Sequence, residues 1–67
     1  MLSEIVVPDE GPLDAKIMII AEAPGEQEEK ALRPLVGPAG RILDGLLREA
    51  GIVREQCYIT TVSQRRP

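Results

Sequence analysis

The sequence predicts an α/β fold built on one βαβ unit with a parallel sheet, and three observations lead there. An unbroken apolar run, Lys16-Ile17-Met18-Ile19-Ile20-Ala21, reads as a strand covered on both faces, the usual pattern of parallel sheets. Ile42, Leu43, Leu46, Leu47 and Ala50 recur at helical spacing and form one apolar stripe. A β-branched run, Cys57-Tyr58-Ile59-Thr60-Thr61-Val62, follows as a second strand. Strand, helix and strand in that order make a right-handed crossover between parallel strands.

Residues 1–15 mix Pro8, Gly11 and Pro12 with acids and read as an irregular lead-in or edge segment, in which Ile5-Val6-Val7 forms a short strand that Pro8 stops. The strand–loop–helix–strand unit then occupies residues 16–67. After the first strand, Glu26/Lys30 and Glu29/Arg33 stand four apart in the favourable order, which predicts a helical turn ended by Pro34. The main helix runs from Pro38 to Ala50, with Arg41, Asp44, Arg48 and Glu49 opposite the apolar stripe. Pro38 suits its first turn, Gly51 suits a left-handed position just past its end, and Ile52 is placed to pack back. Gly45 costs about 1 kcal/mol against alanine in mid-helix, and close approach of a neighbouring backbone is the reason it suggests.

A chain of 67 residues buries only about 60% of its unfolded surface, so one core leaves it marginal. With Cys57 its single cysteine and no histidine, it has no intramolecular disulfide and no Cys/His set for zinc. Stability is left to packing, to a second chain or copy, or to the rest of a larger protein. Two strands and one helix cover one face of the sheet and leave the other bare. No apolar run of about 18 residues is present to span a membrane. The start, MLSEIVVPDE, lacks the basic stretch of a signal peptide, so a cytoplasmic, reducing location is expected.

The net charge of −3 hides an asymmetry: residues 1–30 carry −6 and residues 31–67 carry +3. An acidic chain speaks against nucleic-acid binding by bulk charge. The basic second half, ending in Arg65 and Arg66, suits either local phosphate contacts or plain solvation.

Ligands of open parallel sheets sit outside the carboxyl ends of the strands. Residues 21–25 and 60–66 fall there, and the helix start Gly37-Pro38-Ala39-Gly40 aims its free N–H groups at the same rim, a natural phosphate site. Gly37 and Gly40 lack the Lys-Ser/Thr of a P-loop and the three-glycine dinucleotide pattern, and also read as simple turn and helix-start glycines. Glu22 directly follows the buried strand, where partial desolvation suits a carboxylate to acid/base work; the competing reading is a rim carboxylate capping a nearby N–H. Glu26, Glu28 and Glu29 read as a solvated face.

Three stretches carry a resemblance: Ala21-Glu22-Ala23-Pro24-Gly25-Glu26-Gln27-Glu28-Glu29, Pro34-Leu35-Val36-Gly37-Pro38-Ala39-Gly40-Arg41-Ile42-Leu43-Asp44, and Ala50-Gly51-Ile52 with Tyr58-Ile59-Thr60 and Arg66-Pro67. In order and spacing they resemble the iron–sulfur uracil-DNA glycosylases of bacteria and archaea and their relatives. Those family motifs read Gly-Glu-Ala-Pro-Gly followed by acids, Pro-Phe-Val-Gly-x-Ala-Gly-x-Leu-Leu-Asp, and Tyr-Ile-Thr-Asn-x-x-Lys-Cys-Arg-Pro. The resemblance implies a three-layer fold of which this chain is the N-terminal portion, with DNA as partner. It also implies a flipped base and N-glycosidic cleavage through an oxocarbenium-like transition state. It places Glu22 and Glu28 where carboxylates position water, Ala23, Pro24, Gly25, Leu35 and Thr61 around the base, and Gly37, Gly40, Arg65 and Arg66 near phosphate.

Departures accompany the matches. Leu35 stands where the family has the phenylalanine that stacks on uracil, and Thr61 where it has the asparagine that reads the base edge. The first pair of cluster cysteines is absent and Arg65 replaces the later one, so the family's 4Fe–4S cluster is expected to be missing and no cofactor is implied. The family's histidine-bearing motif lies beyond residue 67. These departures imply impaired activity on uracil. Two other readings stay open: a module that binds nucleic acid or protein without hydrolysis, and a truncated, oligomerising fragment.

Overall fold

The computed structural model describes residues 2–67. In chain order it contains β1 (Met18–Ala21), α1 (Glu26–Ala31), α2 (Pro38–Glu49), a 3-10 turn over Arg54–Gln56 and β2 (Tyr58–Thr61). β1 and β2 pair in parallel, from Met18 opposite Tyr58 to Ala21 opposite Thr61, so the strand–helix–strand crossover with a parallel sheet is present.

Opposed residues of a parallel ladder share a face. Ile19, Ile59, Ala21 and Thr61 therefore lie on one side, and Met18, Tyr58, Ile20 and Thr60 on the other. β1 is not covered on both faces as its apolar run suggested: Met18 and Ile20 remain 61% and 62% exposed. A run apolar on both sides asks for two covering layers, and these residues supply one. Among the described residues, Val7, Pro24, Pro34, Leu47, Cys57 and Ile59 are buried apolar side chains.

The lead-in is tied to the sheet, although Ile5-Val6-Val7 does not form the expected strand. It runs antiparallel to the end of the chain: Ser3 N donates to Arg66 O at 2.8 Å and Val7 N to Gln64 O at 2.9 Å. Glu10 and Ile59 exchange both backbone bonds, at 2.9 and 2.7 Å, in an isolated bridge. Val7 thereby reaches the core while Ile5 and Val6 stay exposed. Proline at position 8 has no N–H to continue a ladder.

α2 begins with Pro38 in its first turn and ends as its sequence predicts. Gly51 has φ of 73°, its N–H donates to Arg48 O at 3.1 Å, and Ile52 N donates to Leu47 O at 2.9 Å. This bond pair satisfies carbonyls that the helix end would leave orphaned. The apolar stripe is only partly covered: Leu47 is buried and Leu43 half-buried, but Ile42 is 67% and Leu46 58% exposed, and Ala50 is exposed too. Gly45 does not mark a close backbone approach, because a Cβ there would meet nothing within 4 Å. Gly45→Ala is therefore expected to raise stability by about 1 kcal/mol, or roughly 4–8 °C in melting temperature, as read by circular dichroism. An unchanged or lower midpoint would show that the helix tolerates no side chain there.

α1 confirms the expected Glu26–Lys30 pair, at 3.1 Å, but not Glu29 with Arg33. The helix closes on Leu32 with φ of 53°, which swings Arg33 off the helical path before Pro34. Arg33 instead grips Glu10 through two bonds, Nε to Oε1 at 2.6 Å and Nη2 to Oε2 at 2.9 Å. Those hydrogen bonds hold the Glu10 carboxyl below its ordinary value against a smaller opposing desolvation.

Candidate functional site

An open cavity of about 230 Å³ lies where β1 and β2 end and α2 begins, lined by Ala21, Ala23, Gly25, Glu28, Leu35, Gly37, Pro38, Ala39 and Thr61. Of the residues singled out by sequence, Ala23, Gly25, Glu28, Leu35, Gly37 and Thr61 meet here. They come from the turn after β1, from α1, from the loop before α2 and from the end of β2. A larger space, about 460 Å³, opens beside Lys16, Ile17 and Cys57 at the start of the strands, away from these residues.

Glu28 organises the site. Glu28 Oε1 accepts Gly25 N–H at 2.8 Å, which is the return half of a capping box, since Gly25 has no side chain to supply the other half. Glu28 Oε2 accepts Val36 N–H at 2.8 Å and Gly37 N–H at 2.6 Å. Gly25 caps α1 and Gly37 caps α2, so one carboxylate joins the amino ends of both helices, where the helix dipoles favour negative charge. Desolvation is the largest single influence on Glu28 and pushes its pKa up; the backbone N–H groups of Gly25, Gly37, Val36 and Glu28 itself together outweigh it, so the net shift is downward. Glu28 is thus half-buried and engaged, not part of a solvated face.

Leu35 adopts φ of 51°, a left-handed conformation that costs a non-glycine residue roughly 1–2 kcal/mol. Its carbonyl is packed against Gly40: a Cβ on Gly40 would lie 1.9 Å from Leu35 O. The close backbone approach at buried Gly40 is therefore to the chain's own loop. Pro34 is fully buried beneath the same bend.

Glu22 belongs to the same rim, between Ala21 and Ala23, and its carbonyl accepts Ser63 N–H at 3.0 Å. Its side chain is exposed, not desolvated as its place after β1 suggested, and it does not line the cavity. β1 ends at Ala21 and the chain bends at Glu22, so Ala21 and Ala23 line the cavity while the residue between them does not. Pro24 is buried beside it.

Arg65 and Arg66 lie outside the cavity. Arg66 pairs with Glu29 at 3.5 Å, and Arg65 is exposed. Two arginines of the basic second half are folded back onto acids of the first half, Arg33 on Glu10 and Arg66 on Glu29, and Arg54 pairs with Asp44 inside the second half.

Two groups had no signal in the sequence. Asp9 accepts from Tyr58 Oη at 2.6 Å, Thr60 Oγ1 at 2.7 Å and Gln64 Nε2 at 3.2 Å. The bonds from Tyr58 and then Thr60 lower the Asp9 pKa, and the Tyr58 hydroxyl is raised in turn. Arg54, in the 3-10 turn, donates to Pro34 O, Leu35 O and Asp44. Neither residue falls in a motif, and their partners lie between 10 and 55 positions away.

The one thiol, Cys57, is buried with Sγ 3.6 Å from Val53 O, and among the described residues no three His, Cys, Asp or Glu side chains gather to hold a metal. Among them, too, no helix is long and apolar enough to cross a membrane.

Comparison with known proteins agrees with this geometry. The family model described as the Uracil DNA glycosylase superfamily matches residues 8–67, which takes in the bridge at Glu10 as well as the cavity. A Type-4 uracil-DNA glycosylase of Thermotoga maritima is 53% identical over 62 residues, covering 92% of this chain and 32% of that relative. One from Sulfurisphaera tokodaii is 48% identical over 91% of this chain and 28% of its own length. One from Pyrobaculum aerophilum is 44% identical over 91% and 31%. The chain spans about a third of the length of these curated relatives. With a family match over residues 8–67 and relatives 44–53% identical over about nine-tenths of its length, the chain belongs to the uracil-DNA glycosylase superfamily.

Proposed function

We propose that this chain supplies part of the base-recognition pocket of a uracil-DNA glycosylase-type repair protein, which hydrolyses the N-glycosidic bond of a flipped base, and that its grip on uracil is weakened. The carrying observation is the cavity itself, which brings Gly25, Glu28, Leu35, Gly37 and Thr61 to one rim. Ala23 and Pro24 shape the same bend. Glu28 holds the pocket together through the N–H groups of Gly25, Val36 and Gly37, and Glu22 is exposed to solvent. Arg65 is the DNA-backbone candidate that remains once Gly40 is packed, the Gly37 N–H is taken by Glu28 and Arg66 is paired.

Leu35 supports the reading of weakened recognition, because it has no π-face, and base stacking on an aromatic contributes about 1–3 kcal/mol. Thr61 offers one hydroxyl where an amide would both donate and accept. Base release from uracil-containing single- and double-stranded DNA tests the proposal. The 67-residue chain is expected to release little uracil, and Leu35→Phe with Thr61→Asn is expected to tighten uracil-DNA binding about tenfold, a gain of about 1.4 kcal/mol. Robust release by the unaltered chain would overturn the impairment.

A second reading, nucleic-acid binding without hydrolysis, is favoured by the commitment of Glu28 to three loop N–H groups. Salt-dependent binding with no base release in any variant would select it.

A further inference from the structure

We infer that Arg54 is a positioning residue that sets the shape of the pocket wall through the two peptide planes flanking Leu35; this deepens, and rests on, the pocket reading above. Arg54 does not line the cavity and is 13% exposed. From the 3-10 turn before β2 its guanidinium reaches beneath the loop: Nη2 donates to Pro34 O at 2.7 Å and Nη1 to Leu35 O at 2.8 Å. The Pro34 carbonyl marks the peptide plane before Leu35 and the Leu35 carbonyl marks the plane after it. The orientation of those two planes defines φ and ψ of Leu35, so one rigid fork holds both dihedrals of a residue in a sterically disfavoured conformation. The second plane is gripped at both ends, since its N–H belongs to Val36 and is taken by Glu28.

The charges around Arg54 fit this role. Asp44 lies 2.7 Å from Nη1 and Glu10 3.9 Å from Nη2, so the cation is neutralised within the fold and is not offered to phosphate. Asp44 also orients the fork from α2, the helix whose start forms the opposite wall of the cavity. Lysine cannot reproduce the grip, because a single ammonium lacks the planar fork that spans two carbonyls.

The test uses the 67-residue chain and its Arg54→Lys and Arg54→Gln variants. Amide exchange is read by nuclear magnetic resonance, followed by titration with a single-stranded oligonucleotide carrying one uracil. In both variants the amides of Val36 and Gly37 are expected to exchange about tenfold faster, and the amide–Hα coupling of Leu35 to change, while Ile59 and Ile52 keep their protection. Oligonucleotide affinity is expected to fall about tenfold with an unchanged salt slope. Unchanged exchange at Val36 and Gly37 would overturn the inference. So would a salt slope reduced by about one, which marks a direct phosphate contact. Loss of Ile59 protection in both variants would also overturn it, by showing support of the whole fold and not of the loop. If the oligonucleotide leaves Gly25, Gly37 and Thr61 unshifted in the unaltered chain, the pocket reading falls, while loosening at Val36 and Gly37 still establishes the hold of Arg54 on Leu35.

Discussion

Glu28→Gln is expected to lower the stability of the chain by about 2–3 kcal/mol at neutral pH, because hydrogen bonds to a charged acceptor contribute about 1.5–3 kcal/mol and the substitution leaves loop donors facing an amide N–H. For a domain of this size that is a fall of roughly 10–20 °C in melting temperature. The wild-type carboxylate serves Gly25, Val36 and Gly37 at once, and an amide oxygen can serve one side only. The acid dependence should change with it. Glu28, Asp9 and Glu10 all have folded pKa values below their ordinary ones. The unfolded chain therefore binds more protons, so their stabilisation is fully present above the ordinary carboxylate range of about 4 and is lost as pH falls through the lower folded values. Wild-type stability should drop between neutral pH and pH about 3, and the drop should be smaller in Glu28→Gln, which no longer contributes its share. Urea midpoints at the two pH values check both points; equal midpoints for variant and wild type at neutral pH would show that Glu28 does not clasp the loop.

Gly40→Ala is expected to cost at least about 2–3 kcal/mol or to displace the loop that forms the pocket wall. Its Cβ would fall 1.9 Å from Leu35 O and 2.3 Å from Leu35 C, both backbone atoms with no rotamer to escape into. The carbonyl is also held from the other side by Arg54, so it cannot simply turn away. Gly45→Ala, five residues along the same helix and facing open space, makes a matched control with the opposite sign. Thermal denaturation of the pair, with amide shifts of Leu35 to Gly37, reads the contrast. Two alanines of equal effect would mean that helix propensity alone governs both positions.

Sequence legibility differed between kinds of residue. The Pro38 start, the Gly51 end and the two β-runs were readable because caps, helical periodicity and β-branching act within a few positions of themselves. Part of the cavity's lining was among the residues the motifs singled out, namely Ala23, Gly25, Glu28, Leu35, Gly37 and Thr61, whereas Glu22, Pro24, Gly40, Arg65 and Arg66 do not line it. Glu22 and Glu28 exchanged expected environments: the residue placed after a buried strand turned outward, and the one in an acidic run turned inward. A run of glutamates carries no label saying which member will find donors, since Val36 and Gly37 reach Glu28 only after the chain bends back at Leu32 and Leu35.

By itself, then, the linear order of residues determined the crossover, its parallel strand pair, and the helix with its two ends. The folded chain decided which charges meet, which half of the apolar stripe is covered, and which carboxylate and arginine hold the strained Leu35 loop. The physical division is one of range. Helix caps and β-branching are settled within a turn or two, whereas Arg33 choosing Glu10 over Glu29, or Arg54 gathering Pro34, Leu35 and Asp44, depends on segments that only three-dimensional packing brings within hydrogen-bonding distance.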